Sequence, residues 1–91
     1  MPNILDNYHK FQQKTENGNF DLKYMSIGLA GEVGEFLNEI KKMERDDNNI
    51  LNNERKNKII EELGDVMWYI SSICNRLDII FDNLIKNNIN K

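Results

Sequence analysis

The chain has little that would staple it, anchor it or hand it a ready-made metal ligand. Its one cysteine, Cys74, excludes an intrachain disulfide framework and falls on the apolar side of a helical pattern, where it reads as core. Its one proline, Pro2, precedes the first helical pattern. Its one histidine, His9, could bind phosphate or metal, but nothing at ligand spacing accompanies it, and a surface residue is expected. No apolar run approaches the ~18 residues of a membrane span, and no basic segment leads into an apolar one at the start. The expectation is a cytoplasmic protein with no membrane partner. Positive charge is scarce too: a net charge of −3 and a pI near 5.1 argue against nucleic acid as a partner. No repeat and no second domain is visible, so residues 1–91 read as one small domain. At 40% hydrophobic and 30% charged, that domain is folded rather than disordered.

What the chain does have is acid at helical spacing. Glu32 and Glu35 form one pair and Glu62 and Asp65 a second, each at i, i+3 and so on one helix face. Each pair borders an apolar stripe. The first stripe is Leu29, Val33, Phe36, Ile40 and Met43, with Glu39 continuing its acidic border; the second is Ile59, Leu63, Val66, Ile70, Ile73 and Leu77. Two helices packed through these stripes would gather four carboxylates at a seam. Such a cluster costs several kcal/mol per ion in repulsion and desolvation unless a cation compensates. A hard divalent ion with oxygen ligands, Mg²⁺ or Mn²⁺, is the natural counterpart, and Mg²⁺ commonly joins carboxylates to substrate phosphates. Gly28, Gly31 and Gly34 crowd the first motif and Gly64 lies inside the second. Each costs a helix interior about 1 kcal/mol relative to Ala, which calls for close helix approach or room for a ligand.

The words Gly28-Leu-Ala-Gly-Glu-Val-Gly-Glu35 and Glu62-Leu-Gly-Asp-Val-Met-Trp-Tyr69 resemble the two signature helices of the MazG-like, all-α nucleoside triphosphate pyrophosphohydrolases. The likeness extends to Tyr8…Thr15 and to Asn83-Leu-Ile-Lys86, nearly the whole chain. It implies an all-α helical bundle. It also implies Mg²⁺-dependent hydrolysis of a (deoxy)nucleoside triphosphate between the α- and β-phosphates, as in nucleotide-pool house-cleaning. Glu32, Glu35, Glu62 and Asp65 would be the metal ligands, and Glu32 or Glu35 the base. Relatives act on dUTP, dCTP or phosphoribosyl-ATP. A catalytically silent helical interaction module is the competing reading.

Taken in order, the pattern predicts helices over about 4–16, 21–44, 53–77 and 80–87, with a frayed tail. Leu5, Tyr8, Phe11 and Gln12 supply the first helix's face. Lys42 has two readings: a cation complementing the helix dipole, or, by the resemblance, a phosphate contact. Tyr69 lies one turn beyond Asp65 and can stack on or hydrogen-bond the nucleotide. Trp68 is an assembly anchor or part of a base pocket. Asn83 and Lys86 share a face of the last helix; the resemblance implies that Lys86 faces the triphosphate and Asn83 the sugar or a water. Ile60, Met67 and Cys74 widen the third helix's apolar arc beyond what a short chain can cover, which predicts a homodimer or dimer of dimers completing a four-helix core.

Overall fold

A computed structural model of the chain describes residues 3–91; Pro2 lies outside them. Four helices follow one another, α1 (Ile4–Thr15), α2 (Leu22–Asp46), α3 (Asn53–Arg76) and α4 (Phe81–Ile89), with no strand among the described residues. The expected all-α architecture is therefore present. Three helices begin on a side-chain cap, the carboxylate or amide oxygen accepting the otherwise orphaned backbone N–H three residues on. Asn3 accepts from Asp6, Asp21 from Tyr24 and Asn52 from Arg55, each at 2.8 Å. Asn48 and Asn49, at φ 55° and 58°, turn the chain after α2 in the left-handed conformation that Asn tolerates.

A six-residue connection, 47–52, folds α3 back along α2. Contacts run in opposite senses along the two helices: Tyr69 meets Gly28, and Arg55 meets Glu39. The pair is thus an antiparallel hairpin. The helix boundaries depart from the expected ones by a residue or two. The last helix continues to Ile89, through much of the expected tail.

The α1–α3 interface is not the apolar one expected. Phe11 is 54% exposed, whereas His9 and Gln12 are buried, Gln12 beside Ser71. Gln12 accepts from Asn75 Nδ2 at 2.9 Å, and Glu16 takes Arg76 at 2.8 Å and also accepts from Ser72 Oγ. Every partner is satisfied, so a polar seam can stay dry. His9 is accordingly corrected from surface to core. Its Nε2 meets Asn75 Oδ1, and its Nδ1 accepts the backbone N–H of Phe81 at 3.0 Å. That bond caps α4, whose preceding residue Ile80 provides no side-chain cap.

Fully buried Phe81 closes this end, edge-on to Tyr8 at 6.3 Å. Only Met25, Cys74 and Phe81 are buried hydrophobics among the described residues. Val33 and Leu37 on α2, and Ile60, Leu63 and Met67 on α3, are exposed. By helical rotation they lie on the flank of the hairpin away from the acids. No described helix is long and apolar enough to cross a membrane.

Candidate metal and phosphate site

The antiparallel hairpin brings the two acidic motifs level with each other. Glu32, Glu62 and Asp65 each offer a carboxylate oxygen, and all three atoms lie within 4.8 Å of one another. Glu32 and Glu62 are half-buried and Asp65 is exposed. Glu35 is exposed one turn along α2 and stands outside this tight set. The sequence thus foretold four acids at the seam, and the structure groups three, with the fourth beside them.

The site's electrostatics follow from crowding like charges at a partly dry surface. Burial, then the neighbouring Asp65 and Glu35 carboxylates, push the Glu32 carboxyl above its ordinary range. Glu62 is raised by desolvation, then by Asp65, Glu32, Glu35 and Glu39. The Tyr8 phenol is raised by burial and by Asp65, which puts Tyr8 within electrostatic reach of the cluster. None of the ion pairs among the described residues involves Glu32, Glu62 or Asp65. Convergent, all-oxygen, uncompensated donors fit a hard divalent cation such as Mg²⁺ or Mn²⁺ and fit a soft metal poorly.

Two contacts bracket the cluster. At one end the Tyr69 ring fills the space that a side chain at residue 28 would need: a Cβ there would collide with Tyr69 Cε1. Gly28 is therefore the close approach that the glycines foreshadowed. Gly31, Gly34 and Gly64 do not serve that purpose within the chain, since a Cβ on any of them would meet nothing within 4 Å. Tyr69 also packs edge-on against Trp68, at 5.2 Å. Trp68 itself is tied to α1 through Nε1 donating to Thr15 Oγ1 at 2.8 Å. At the other end Arg55 holds Glu39 and, at 2.8 Å, Asp47. Glu39 thereby leaves the acidic border on which its spacing had put it.

The expected phosphate contacts are engaged locally. Lys42 Nζ lies 3.7 Å from Glu39, and Lys86 Nζ lies 2.8 Å from Asp82. Asn83 is exposed on α4. Sequence reasoning overlooked Tyr8 as a neighbour of the acids, and Arg55 altogether. Arg55 carried a signal: it stands seven residues before Glu62, as Glu39 stands seven after Glu32. Ile4, Leu5, Tyr8, Gly64, Met67 and Phe81 line an apolar recess of about 270 Å³.

Comparison with known proteins agrees with this geometry. Residues 20–91 match the MazG nucleotide pyrophosphohydrolase domain. The chain is similar to the Gene 37 protein of Mycobacterium phage L5, 40% identical over 70 residues that cover 77% of this chain. Those residues span 61% of the phage protein, less than two thirds of its length. No solved structure matches. With three of its four signature acids converging on one seam and the domain match covering most of its length, the chain belongs to the MazG nucleotide pyrophosphohydrolase family.

Proposed function

We infer that the protein hydrolyses a (deoxy)nucleoside triphosphate at the anhydride bond between the α- and β-phosphates, releasing nucleoside monophosphate and pyrophosphate. The observation that carries this reading is the convergence of Glu32, Glu62 and Asp65 within 4.8 Å in a MazG chain. These three carboxylates would hold Mg²⁺, with Mn²⁺ as a substitute. The cation would supply charge neutralisation across the phosphates as the bond breaks.

Glu35 is the best candidate for the base. A carboxylate outside the tight donor set keeps its lone pairs for a water, and exposure leaves it open to one. Its carboxylate takes the proton as the water oxygen bonds to phosphorus and pyrophosphate departs with the electron pair. Glu32 is the runner-up base, its affinity for a proton raised by burial and its neighbours. Lys42 and Lys86 would exchange Glu39 and Asp82 for substrate phosphates, and Asn83 would meet the sugar or a water. Tyr69 offers the base a surface to stack on. That surface is compatible with house-cleaning of surplus nucleotides, and with dUTP, dCTP or phosphoribosyl-ATP as a dedicated substrate.

The chain would act in the cytoplasm as a single domain, and as a homodimer or dimer of dimers. Exposed Val33, Leu37, Ile60, Leu63 and Met67 support that assembly, because so few apolar residues find cover within one chain. The test is ³¹P NMR of the products from a panel of NTPs and dNTPs with millimolar Mg²⁺. Monophosphate with pyrophosphate is expected. Orthophosphate with diphosphate means attack at the γ-phosphate and another class of enzyme; no turnover favours the silent helical module.

A further inference from the structure

We propose that Arg55 is a positioning residue for the carboxylate site, setting the register of α2 against α3 and holding Glu39 out of the cation's reach. The inference rests on the reading of Glu32, Glu62 and Asp65 as ligands of a divalent cation.

The argument begins with register. Glu39 lies seven residues beyond Glu32, and Arg55 lies seven before Glu62. Seven residues are two helical turns, or about 10 Å along each axis. In an antiparallel pair, equal offsets from one facing pair lead to another, so the contact that places Arg55 on Glu39 places Glu32 opposite Glu62. A slip of one residue shifts a helix by about 1.5 Å and rotates its side chains by about 100°. Either change disperses oxygens that now lie within 4.8 Å.

Arg55 suits the task. It is 10% exposed and uses two separate edges of its guanidinium, Nη1 on Glu39 Oε2 and Nε on Asp47 Oδ2. Glu39 belongs to α2 and Asp47 is its C-cap, so one side chain from the first turn of α3 ties down both the seam and the connection. Arginine's planar fork fixes direction as well as charge, which a lysine would not. At the opposite end the seam is closed by Tyr69 on Gly28, leaving the acids clamped between two fixed points.

The second part concerns charge. By spacing, Glu39 would continue the helix border of Glu32 and Glu35 as a further carboxylate. Engaged by Arg55, with Lys42 3.7 Å away, it is neutralised and turned along the seam. The cluster then presents a tight set of three carboxylates, few enough for a small cation to keep room for phosphate oxygens.

Three proteins decide the matter: wild type, Arg55→Lys, and the charge-neutral double variant Arg55→Met with Glu39→Gln. The double variant removes the clamp without changing net charge, so long-range attraction of the cation is held constant. Mn²⁺ binding is measured by electron paramagnetic resonance and calorimetry on the metal-free protein, beside thermal melts and turnover. We expect the double variant to bind Mn²⁺ about tenfold more weakly and to lose kcat. Arg55→Lys, which keeps the charge and one carboxylate partner, should recover most of the affinity. A folded double variant that binds Mn²⁺ as wild type does, with only its melting temperature lowered, overturns the proposal and leaves Arg55 a stabilising residue. Should the double variant not fold, Arg55→Lys decides alone: its Mn²⁺ affinity and kcat should fall about twofold, and wild-type values for both overturn the proposal. Wild type that binds no Mn²⁺ and turns nothing over instead sinks the underlying reading of the acids.

Discussion

Replacing Glu32 by Gln should make the metal-free protein more stable and the metal-bound protein less so. Glu32 has two carboxylate neighbours with oxygens within 4.8 Å. At that separation two unit charges repel by about 0.9 kcal/mol in a water-like dielectric, and physiological salt reduces the sum for two pairs to about 1 kcal/mol. In a domain of this size, 1 kcal/mol moves the melting temperature by about 4–8 °C. The pH dependence has a definite sign. Glu32 and Glu62 both hold their protons more tightly in the folded chain than at the ordinary glutamate value of 4.5. Their contribution is therefore fully present below pH 4.5 and is lost as pH rises through the raised values, so the gain from Glu32→Gln appears only above that window. The assay is a pair of calorimetric melts at pH 4 and pH 7, each with chelator and with millimolar Mg²⁺. Wild type should gain more from the cation than the variant, since binding to the native state stabilises it by mass action. A lower melting temperature for metal-free Glu32→Gln at pH 7 would refute the reasoning, because it would mean that the carboxylate is held by favourable contacts.

Gly28→Ala and Gly31→Ala should have opposite effects, read by chemical denaturation. The first pushes the Tyr69 ring off the seam and should cost stability and activity. The second meets open space and should gain about 1 kcal/mol of helix propensity. Arg76→Met should destabilise by up to about 3 kcal/mol, because it strands Glu16 in a largely buried seam. Burial opposes ionisation of Glu16, but hydrogen bonds from Ser72, Arg76 and Gln12 outweigh it and hold the carboxyl below 4.5. That contribution is present above pH 4.5 and fades as pH falls through the lowered value, so the Arg76→Met deficit in thermal melts should shrink in acid. Leu63→Glu, on the exposed apolar flank, should reduce the mass seen by sedimentation to that of one chain; an unchanged mass removes that flank from the proposed assembly.

Apolar periodicity made the hairpin legible. The stripes through Phe36 and Val66 fixed which faces of α2 and α3 meet, and the acid pairs beside them then had to converge. The same method placed Gln12 inside but misread its neighbours on α1: Phe11 is exposed and His9 is buried, because a polar residue carries no hydrophobic signal. Burial there depends on partners far along the chain, Ser71, Ser72, Asn75 and Arg76, and pairing at that range has no local signature. Glu39 was misplaced for a related reason. Its spacing put it on the acidic border, and only the antiparallel register revealed that Arg55 stood opposite.

The misread residues share a consequence. Helix α1 is held by directional bonds rather than by interchangeable apolar contact, and those bonds hold α4 as well, through His9 and the Phe81 N–H. A polar seam in a chain with so little apolar core loses stability steeply when any one partner is removed, but it fixes orientation closely. That orientation carries Tyr8 to within electrostatic reach of Asp65, and it seats the start of α4 on α1. The hairpin needs only apolar stripes to gather acids. Directing the rest of the chain toward those acids requires the hydrogen bonds, and their residues are the ones that periodicity cannot find.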